Sequence, residues 1–311
     1  MTGAHAQTRD RPLVAVLSPL SAAAATRNMS ALRAGLRDLG YFEGRNLSIE
    51  VRHAAGVLAR LPALADEVVA LKPNVIVAGA QPTMAALQRA TRTIPVVMSA
   101  ISLDPTTVGL AQSMAKPGGN FTGFWLETET ALMAKRLELL KDAVPSVQRV
   151  GVIVNPADAT DHAGLEQLPI SARSLNLDVR ILEIRSADQL EPMITRAVSD
   201  GLQALCVSQS PLFNENRARV TELATGLGVP SVYGFREFAM AGGFLSYAAN
   251  LSEIYRRAAG VIDRILKGTK PGDIPIERPI RFELVVNMKT AKRLGITVPE
   301  RFLLIADEVI E

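Results

Sequence analysis

The stretch "VIVAGAQPTMAAL" (residues 75–87) joins an apolar strand to a helix through a short polar turn. The apolar run stops at Gly79, and Pro82 stands where the first turn of a helix accepts proline. A routine strand-to-helix turn explains this pattern. A turn that binds an anion also explains it, because a helix start offers unpaired N–H groups and the positive end of the helix dipole. The rest of the chain has to separate these two interpretations.

The same order of strands and helices occurs twice along the chain. The first copy is predicted as strand 13–19, helix 25–41, strand 46–54, helix 58–73, strand 74–79, helix 82–92, strand 94–100 and helix 104–120. The second copy is predicted as strand 149–156, helix 162–175, strand 177–184, helix 188–201, strand 202–210, helix 212–228 and strand 229–235. Alternating strands and helices predict an α/β protein with parallel sheets that are covered on both faces. Two copies predict two doubly wound lobes joined by a hinge.

The pattern changes after residue 240. A helix (251–268), a proline-rich connection (269–279), a strand (280–287) and a helix (288–295) follow. This tail is too short for a third domain, so we expect it to complete both lobes. The predicted division is residues 11–123 with 247–279 for lobe one, and 124–246 with 280–311 for lobe two.

Composition excludes several classes of protein. The net charge is +3, from 34 basic and 31 acidic residues, and no block of lysines and arginines suggests a nucleic-acid partner. Cys206 is the only cysteine, so no internal disulfide can form. The three histidines lack metal-ligand spacing, and no apolar run is long enough to cross a membrane. We therefore predict neither a metal nor a cofactor.

The N-terminal segment is open to three interpretations. The run "AHA" (4–6) before Gln7 fits the small-x-small pattern of a signal-peptidase site, but no apolar segment precedes it. A trimmed leader, a start codon placed too late, or chance would each explain this.

Ligands of open parallel sheets bind beyond the carboxyl ends of the strands, and this rule selects the candidate binding residues. They are Ser18, Gln81, Thr83, Ser99 and Asp104 in the first half, and Asn155, Asp158, Ser208, Ser210, Tyr233 and Arg236 in the second. Facing lobes would enclose a small ligand between these loops. Hydroxyls and amides recognise a ligand but do not form an acid–base pair, so we predict no catalytic residue.

Each candidate also has an ordinary structural explanation. Thr83 either contacts a ligand carboxylate or is a hydroxyl near a helix start, and Gln81 is either a ligand contact or a solvated amide. Asp104 and Asp158 either cap helices or contact an ammonium group. Arg236 either pairs with a carboxylate or ties the lobes together. Motifs for dinucleotide binding, phosphate-binding loops and the nucleophile elbow are missing from the sequence.

Several segments resemble the substrate-binding proteins of ATP-binding cassette importers, in the subgroup with tryptophan- and tyrosine-binding members. Among them are "AKPGGNFTG" (115–123), "REFAMAGGFLSY" (236–247) and "VVNMKTAKRLG" (285–295), and the similarity extends from about Leu13 to Glu311. The resemblance implies a type I periplasmic-binding-protein fold with three chain crossings. It also implies ligand capture by lobe closure, a membrane permease as partner and no catalysis. We expect a periplasmic monomer.

Two departures from the family pattern bear on the ligand. "GAQPT" (79–83) stands where the family has a Gly-Thr-Pro-like loop, and Ser208 and Ser210 stand where an acidic residue is more usual. If that acid holds an amino group, this protein prefers a ligand without one. The turn at 79–83 predicts a small carboxylate as ligand: an amino acid, or an aromatic or short-chain acid. A two-lobed enzyme, such as a racemase or sugar transferase, is the alternative. A transcription regulator would need a DNA-binding unit before residue 11.

Overall fold

The computed structural model describes residues 11–126, 128–163, 165–278 and 281–311. The signal-peptidase pattern at residues 4–6 and the predicted lobe limit between residues 279 and 280 lie outside these ranges.

The first half of the chain forms a parallel sheet of five strands. The strands are β1 (Leu13–Ser18), β2 (Ser48–His53), β3 (Val75–Gly79), β4 (Val96–Ile101) and β5 (Phe121–Trp125), in the order β2-β1-β3-β4-β5. The helices of this half are α1 (Ala22–Asp38), α2 (Leu61–Ala70) and α3 (Gln81–Ala90). β2 lies at the sheet edge, as its alternating pattern predicts.

The second sheet has seven strands and is mixed. The strands are β6 (Arg149–Val154), β7 (Asp178–Glu183), β8 (Ala204–Val207), β9 (Ser231–Tyr233), β10 (Leu245–Ala249), β11 (Phe282–Asn287) and β12 (Glu308–Ile310), in the order β12-β11-β10-β9-β8-β6-β7. β6 to β10 run parallel, whereas β11 is antiparallel to β10 and parallel to β12. The prediction of an α/β protein with two lobes is confirmed.

The remaining helices mostly cover the second sheet. They are α4 (Glu129–Ala143), α5 (Ala159–His162), α6 (Leu168–Arg173), α7 (Leu190–Ser199), α8 (Pro211–Glu215), α9 (Arg217–Gly226), α10 (Arg236–Met240), α11 (Leu251–Leu266), α12 (Met288–Arg293) and α13 (Glu300–Leu303). α11 instead returns to the first sheet and packs along α1. Gly35 allows this close approach, because a Cβ there would lie 2.4 Å from the carbonyl oxygen of Arg256.

Both faces of the first sheet are buried. Val14 and Val16 of β1 belong to the core beneath α1 and α11, whereas Ala15 and Leu17 belong to the core beneath α2 and α3. Successive side chains of a strand point to opposite faces, so one short apolar run serves two cores.

The chain passes between the sheets after β5, after β10 and after Glu277. Glu277 pairs with β5, where its N–H donates to Gly123 O at 2.8 Å. The predicted limits at 123/124 and 246/247 fall inside β5 and β10. We propose that the chain divides into lobes at these three passages.

The predicted helix at 104–120 is wrong, since this segment forms a series of turns. The Asp104 carboxylate accepts the N–H and the hydroxyl of Thr106 (2.8 and 2.6 Å), which closes a local turn. Gly109 then adopts φ +72°, and Gln112 N–H donates to Pro117 O at 2.8 Å. Side-chain turns and a left-handed glycine stop the helix after its first bonds.

Two other predicted helices are broken. The helix at 212–228 divides at Asn216 into α8 and α9, and the helix at 162–175 is replaced by α5 and α6. α5 begins three residues earlier than predicted because Asp158 caps it, its Oδ1 accepting Thr160 N–H at 3.1 Å.

Candidate functional site

A cleft lies between the two sheets, where the carboxyl ends of β1, β3 and β4 face those of β6 and β8. It contains about 680 Å³ of space free of protein atoms, its open mouth included. Apolar walls come from both lobes and the passage between them: Pro19, Leu20, Leu126, Pro211, Phe235, Leu251 and Tyr255. Polar lining residues are Ser18, Asn28, Gln81, Ser102, Asp158, Thr160, Asp161, Gln209, Ser210 and Asn214.

The lobe-one face is built around the turn that joins β3 to α3. Ala80 adopts φ +66° and ψ 144°, an unusual conformation for a residue with a side chain, and its N–H donates to Ala100 O at 2.7 Å. At Gly79 a Cβ would lie 2.9 Å from Ser99 Oγ and 3.2 Å from Tyr255 Oη. Gly79 therefore makes room for two neighbouring hydroxyls as well as lining the cleft.

Two amide side chains on this face have unused polar atoms. Asn28 Oδ1 and Gln81 Oε1 are buried and have no hydrogen-bond partner within the part of the chain that the structure describes. Buried polar atoms are nearly always paired in folded proteins. These amides are therefore candidate ligand contacts.

The lobe-two face carries two buried carboxyl groups. Asp161 Oδ2 accepts hydrogen bonds from Asn155 N–H at 2.7 Å and from Ser208 Oγ at 2.6 Å. Its second oxygen, Oδ1, is buried and has no partner among the described residues. Asp158 lines the cleft beside it.

Burial raises the pKa of Asp161 well above the usual range of a carboxyl, and the negative charges of Asp158 and Glu129 raise it further. Burial also raises the pKa of Asp158, with a smaller contribution from Glu129. A positive charge placed in the cleft would favour ionisation of both groups.

A buried ion pair lies behind this acidic face. Arg136 is fully buried, contacts Glu129 Oε1 through Nη1 at 2.7 Å, and donates through Nε to Tyr247 O at 3.0 Å. Gln209 N–H donates to Glu129 Oε1 at 3.1 Å. With its amide turned towards this pair, Gln209 also donates to Glu129 Oε2 (3.0 Å) and accepts from Arg136 Nη2 (2.7 Å).

The cleft itself is acidic. Arg136 compensates Glu129, but no lysine, arginine or histidine belongs to the described lining of the cleft beside Asp158 and Asp161. Such a site suits a ligand that brings a cation.

The structure brings seven of the eleven predicted residues to the cleft or directly behind it. Ser18, Gln81, Asp158 and Ser210 line the cleft. Asn155 and Ser208 hold Asp161 in place, and Asn155 Nδ2 also donates to Ser210 Oγ at 3.2 Å. Ser99 lies behind Gly79, where its hydroxyl donates to Ala78 O at 3.1 Å.

The other four residues lie away from the lining. Asp104 closes its turn with Thr106, whose hydrogen bonds lower the pKa of this carboxyl. Tyr233 is fully buried, accepts from Ser231 Oγ at 2.7 Å and stacks on Phe238. Arg236 pairs with Glu308 at 2.5 Å, so it ties α10 to β12.

Thr83 neither caps its helix nor lines the cleft. The residue that precedes α3 is Ala80, which makes no side-chain capping bond. The Thr83 hydroxyl is buried without a partner among the described residues.

Several lining residues were missed by the sequence interpretation. Asp161 follows Asp158 by three residues, a spacing that one helical turn after β6 brings to a single face. Asn214 lies in α8 after the predicted loop, and Asn28 lies within α1. Tyr255 comes from α11, which returns to lobe one far along the chain and leaves no local signal.

Two absences hold for the described part of the chain. It contains no group of three or more histidine, cysteine, aspartate or glutamate residues arranged to bind a metal. None of its helices is both long and apolar enough to span a membrane.

The chain matches a known protein family over nearly its whole length. The model of the ABC transporter substrate-binding protein family matches residues 13–310. A tyrosine-binding protein of Clostridioides difficile (strain R20291) is 26% identical over 259 residues, which are 83% of this chain and 74% of the relative.

Solved structures with the same fold include an ABC domain from Streptococcus pneumonia in complex with L-Trp. It is 24% identical, with a TM-score of 0.86, and the match covers 96% of this chain and 100% of that one. A conserved domain protein of Vibrio cholerae is 27% identical with the same TM-score, over 96% and 99% of the two chains. A ligand-free, open substrate-binding protein of Clostridium difficile is 21% identical, with a TM-score of 0.67, and the match covers 96% of this chain and 99% of that one.

Proposed function

We propose that this chain, which belongs to the family of ABC transporter substrate-binding proteins, captures an amino acid in the cleft between its lobes and delivers it to a membrane permease. The observation that carries this proposal is the unpaired Oδ1 of Asp161 in an acidic cleft. A buried carboxyl group without a cation is either protonated or strained. An ammonium group supplies both the missing charge and the missing donor.

Asp161 also bears on the absence, at Ser208 and Ser210, of the acidic residue that is usual in the family. The sequence suggested that the loss of an acidic residue there would favour a ligand without an amino group. Ser208 instead donates to Asp161 at 2.6 Å, so a carboxyl group from α5 lies in the same region. We therefore favour a ligand that carries an ammonium group.

The neutral face of lobe one suits the carboxylate of the same ligand. Gln81 begins α3, a helix of 10 residues whose positive dipole end faces the cleft, and the side-chain amides of Gln81 and Asn28 line the same cleft. The apolar walls, among them Leu20 and Phe235, suit an apolar or aromatic side chain. The ligands named for the relatives, tyrosine and L-Trp, support this choice.

The remaining parts of the proposal follow from the family. Its members serve importers, so we propose that the chain acts outside the cytoplasm, in the periplasm, as a monomer that closes around its ligand. An enzyme such as a racemase would need acid–base groups on opposite sides of the cleft. The two acids in the described lining, Asp158 and Asp161, both lie on lobe two, which favours binding over catalysis.

Calorimetry with L-tyrosine, L-tryptophan and their analogues without the amino group tests this function. We expect an amino acid to bind to the wild-type protein and its deaminated analogue to bind at least about a hundredfold more weakly. Asp161→Asn should weaken the amino acid by a similar factor, because it removes one partner of a buried charge pair. The exposed residue Asp178 on the same lobe provides the control, and Asp178→Asn should change affinity less than about twofold. Equal binding of amino acid and deaminated analogue would contradict the proposal.

A further inference from the structure

Helix α1 begins at the cleft with an incomplete capping arrangement. Ser21 precedes the helix, and its Oγ accepts the N–H of Ala24 at 3.3 Å. In a capping box, an acidic side chain three residues later accepts the N–H of the capping residue in return. That position holds Ala24, and the first turn of α1 contains no acidic residue.

The missing carboxylate comes from the other lobe. Ser21 N–H donates to Glu215 Oε2 at 2.9 Å, although 194 residues separate the two in sequence. Glu215 is the last residue of α8, which follows the lobe-two strand β8. The carboxylate therefore lies at the positive end of a helix of 17 residues.

The surface of lobe one is shaped to receive this side chain. Gly56 lies against it, and a Cβ at Gly56 would stand 3.2 Å from the Cβ of Glu215. A second contact across the cleft is looser: Arg27 Nη1 lies 3.9 Å from Glu237 Oε1, and the Arg27 side chain is 42% exposed. The Glu215 contact is thus the tighter of the two.

We propose that Glu215 is a latch that stabilises the closed form by completing the capping box of α1 across the cleft. Glu215 is not part of the lining of the cleft, so it acts on ligand affinity through closure and not through ligand contact. Opening the lobes would separate Glu215 from Ser21, and the Ser21 N–H would then donate to water. The latch does not depend on which ligand the closed cleft retains.

Glu215→Ala and Glu215→Gln test the latch, with L-tyrosine and L-tryptophan as probes. Glu215→Ala should weaken binding of the better probe about tenfold through faster dissociation, because one charge-assisted hydrogen bond of the closed form is lost. Glu215→Gln should have a smaller effect, since its amide oxygen still accepts a hydrogen bond. Glu222 is exposed on the same lobe, and Glu222→Gln gives the matched control, with an expected change below about twofold.

Small-angle scattering and hydrogen exchange separate closure from ligand contact. We expect the Glu215→Ala protein with saturating probe to scatter as a more open particle than wild type. Unchanged affinity together with unchanged scattering would overturn the latch.

If neither probe binds to the wild-type protein, the proposed function fails and the latch is decided by residue-resolved hydrogen exchange without probe. Slow exchange of the Ser21 N–H that becomes fast in Glu215→Ala supports the latch. Equal exchange in both proteins refutes it.

Discussion

The two lobes contain matching strand-to-helix junctions whose side chains are held in different ways. In lobe one β3 leads through Ala80 and Gln81 to Pro82, and in lobe two β8 leads through Gln209 and Ser210 to Pro211. Both glutamines reach the cleft. Gln209 bonds to the buried pair of Arg136 and Glu129, whereas Gln81 Oε1 has no partner in the described chain.

This difference shows that the same strand-to-helix pattern can form a charged face in one lobe and a neutral face in the other. The lobe-two junction is fixed from behind by charges, and two further carboxyl groups face the cleft. The lobe-one junction has only neutral groups and a helix start. The proposed amino-acid ligand would place its ammonium group on lobe two and its carboxylate on lobe one.

Removing the charge behind the lobe-two junction should have the largest effect. Arg136→Met leaves Glu129 buried without its partner and should destabilise the protein by about 3–5 kcal/mol, since an uncompensated buried charge is costly. Thermal and denaturant unfolding measure this change. The double variant with Glu129→Gln should recover much of the loss, because no unpaired charge remains. A double variant no more stable than Arg136→Met would mean that the arginine acts through packing or through its bond to Tyr247 O.

The acidic face should make stability and affinity respond to pH in opposite directions. The pKa of Asp161 is raised in the folded protein above its ordinary value of 3.8. Its contribution to stability is therefore fully present below the unfolded-state pKa and is lost as pH rises through the folded-state pKa. Without ligand, the melting temperature of wild type relative to Asp161→Asn should fall as the pH rises above about 4 and through the raised pKa of Asp161.

Affinity for an amino-acid probe should rise over the same interval, because the ammonium group binds to the ionised carboxylate. Below the pKa of Asp161, each pH unit should weaken binding by up to about tenfold. In the stability measurement, comparison with Asp161→Asn removes the contributions of Asp104, Asp263 and Asp307. Their lowered pKa values make stability rise with pH, opposite to the effect of Asp161. Parallel curves for the two proteins would mean that Asp161 does not titrate in this range.

The sequence predicts residues of the cleft at both junctions but not the charges behind the lobe-two junction, for a physical reason. The period of apolar residues and the rule of carboxyl strand ends depend on local pattern, and they lead to Ser18 and Gln81, which line the cleft. The chemistry of lobe two depends on distant packing. Arg136 and Glu129 both lie on α4, but their contact with Gln209 in the loop after β8 comes from packing across about 80 residues of sequence, and no local motif signals it.

The same limit explains the false helix at 104–120. Its start has the composition of a capped helix, but Asp104 and Thr106 bond to each other and Gly109 turns the chain away. A turn closed by one side chain can replace a helix at that point, and the spacing of apolar residues does not reveal it.

The smallest expected effect separates two neighbours on the lobe-one junction. The sequence makes Thr83 a candidate carboxylate contact, but its hydroxyl is buried, unpartnered among the described residues and outside the lining of the cleft. Thr83→Val keeps the shape and removes the unpaired hydroxyl. It should raise stability by up to about 1 kcal/mol, because an unsatisfied buried group is costly, and should change amino-acid affinity less than about twofold.

Gln81→Ala is the matched comparison, because Gln81 lies two residues away and lines the cleft. It should weaken binding about tenfold, the loss of one hydrogen bond to a charged ligand, with melting close to wild type because Gln81 makes no internal bond through Oε1. Calorimetry measures the affinity of both variants for the amino acid, and thermal unfolding measures their stability. If Thr83→Val weakens binding tenfold and Gln81→Ala does not, then the ligand reaches past Gln81 to the first turn of α3. The neutral face of lobe one would then bind the carboxylate through a hydroxyl, as the sequence suggested, and not through an amide.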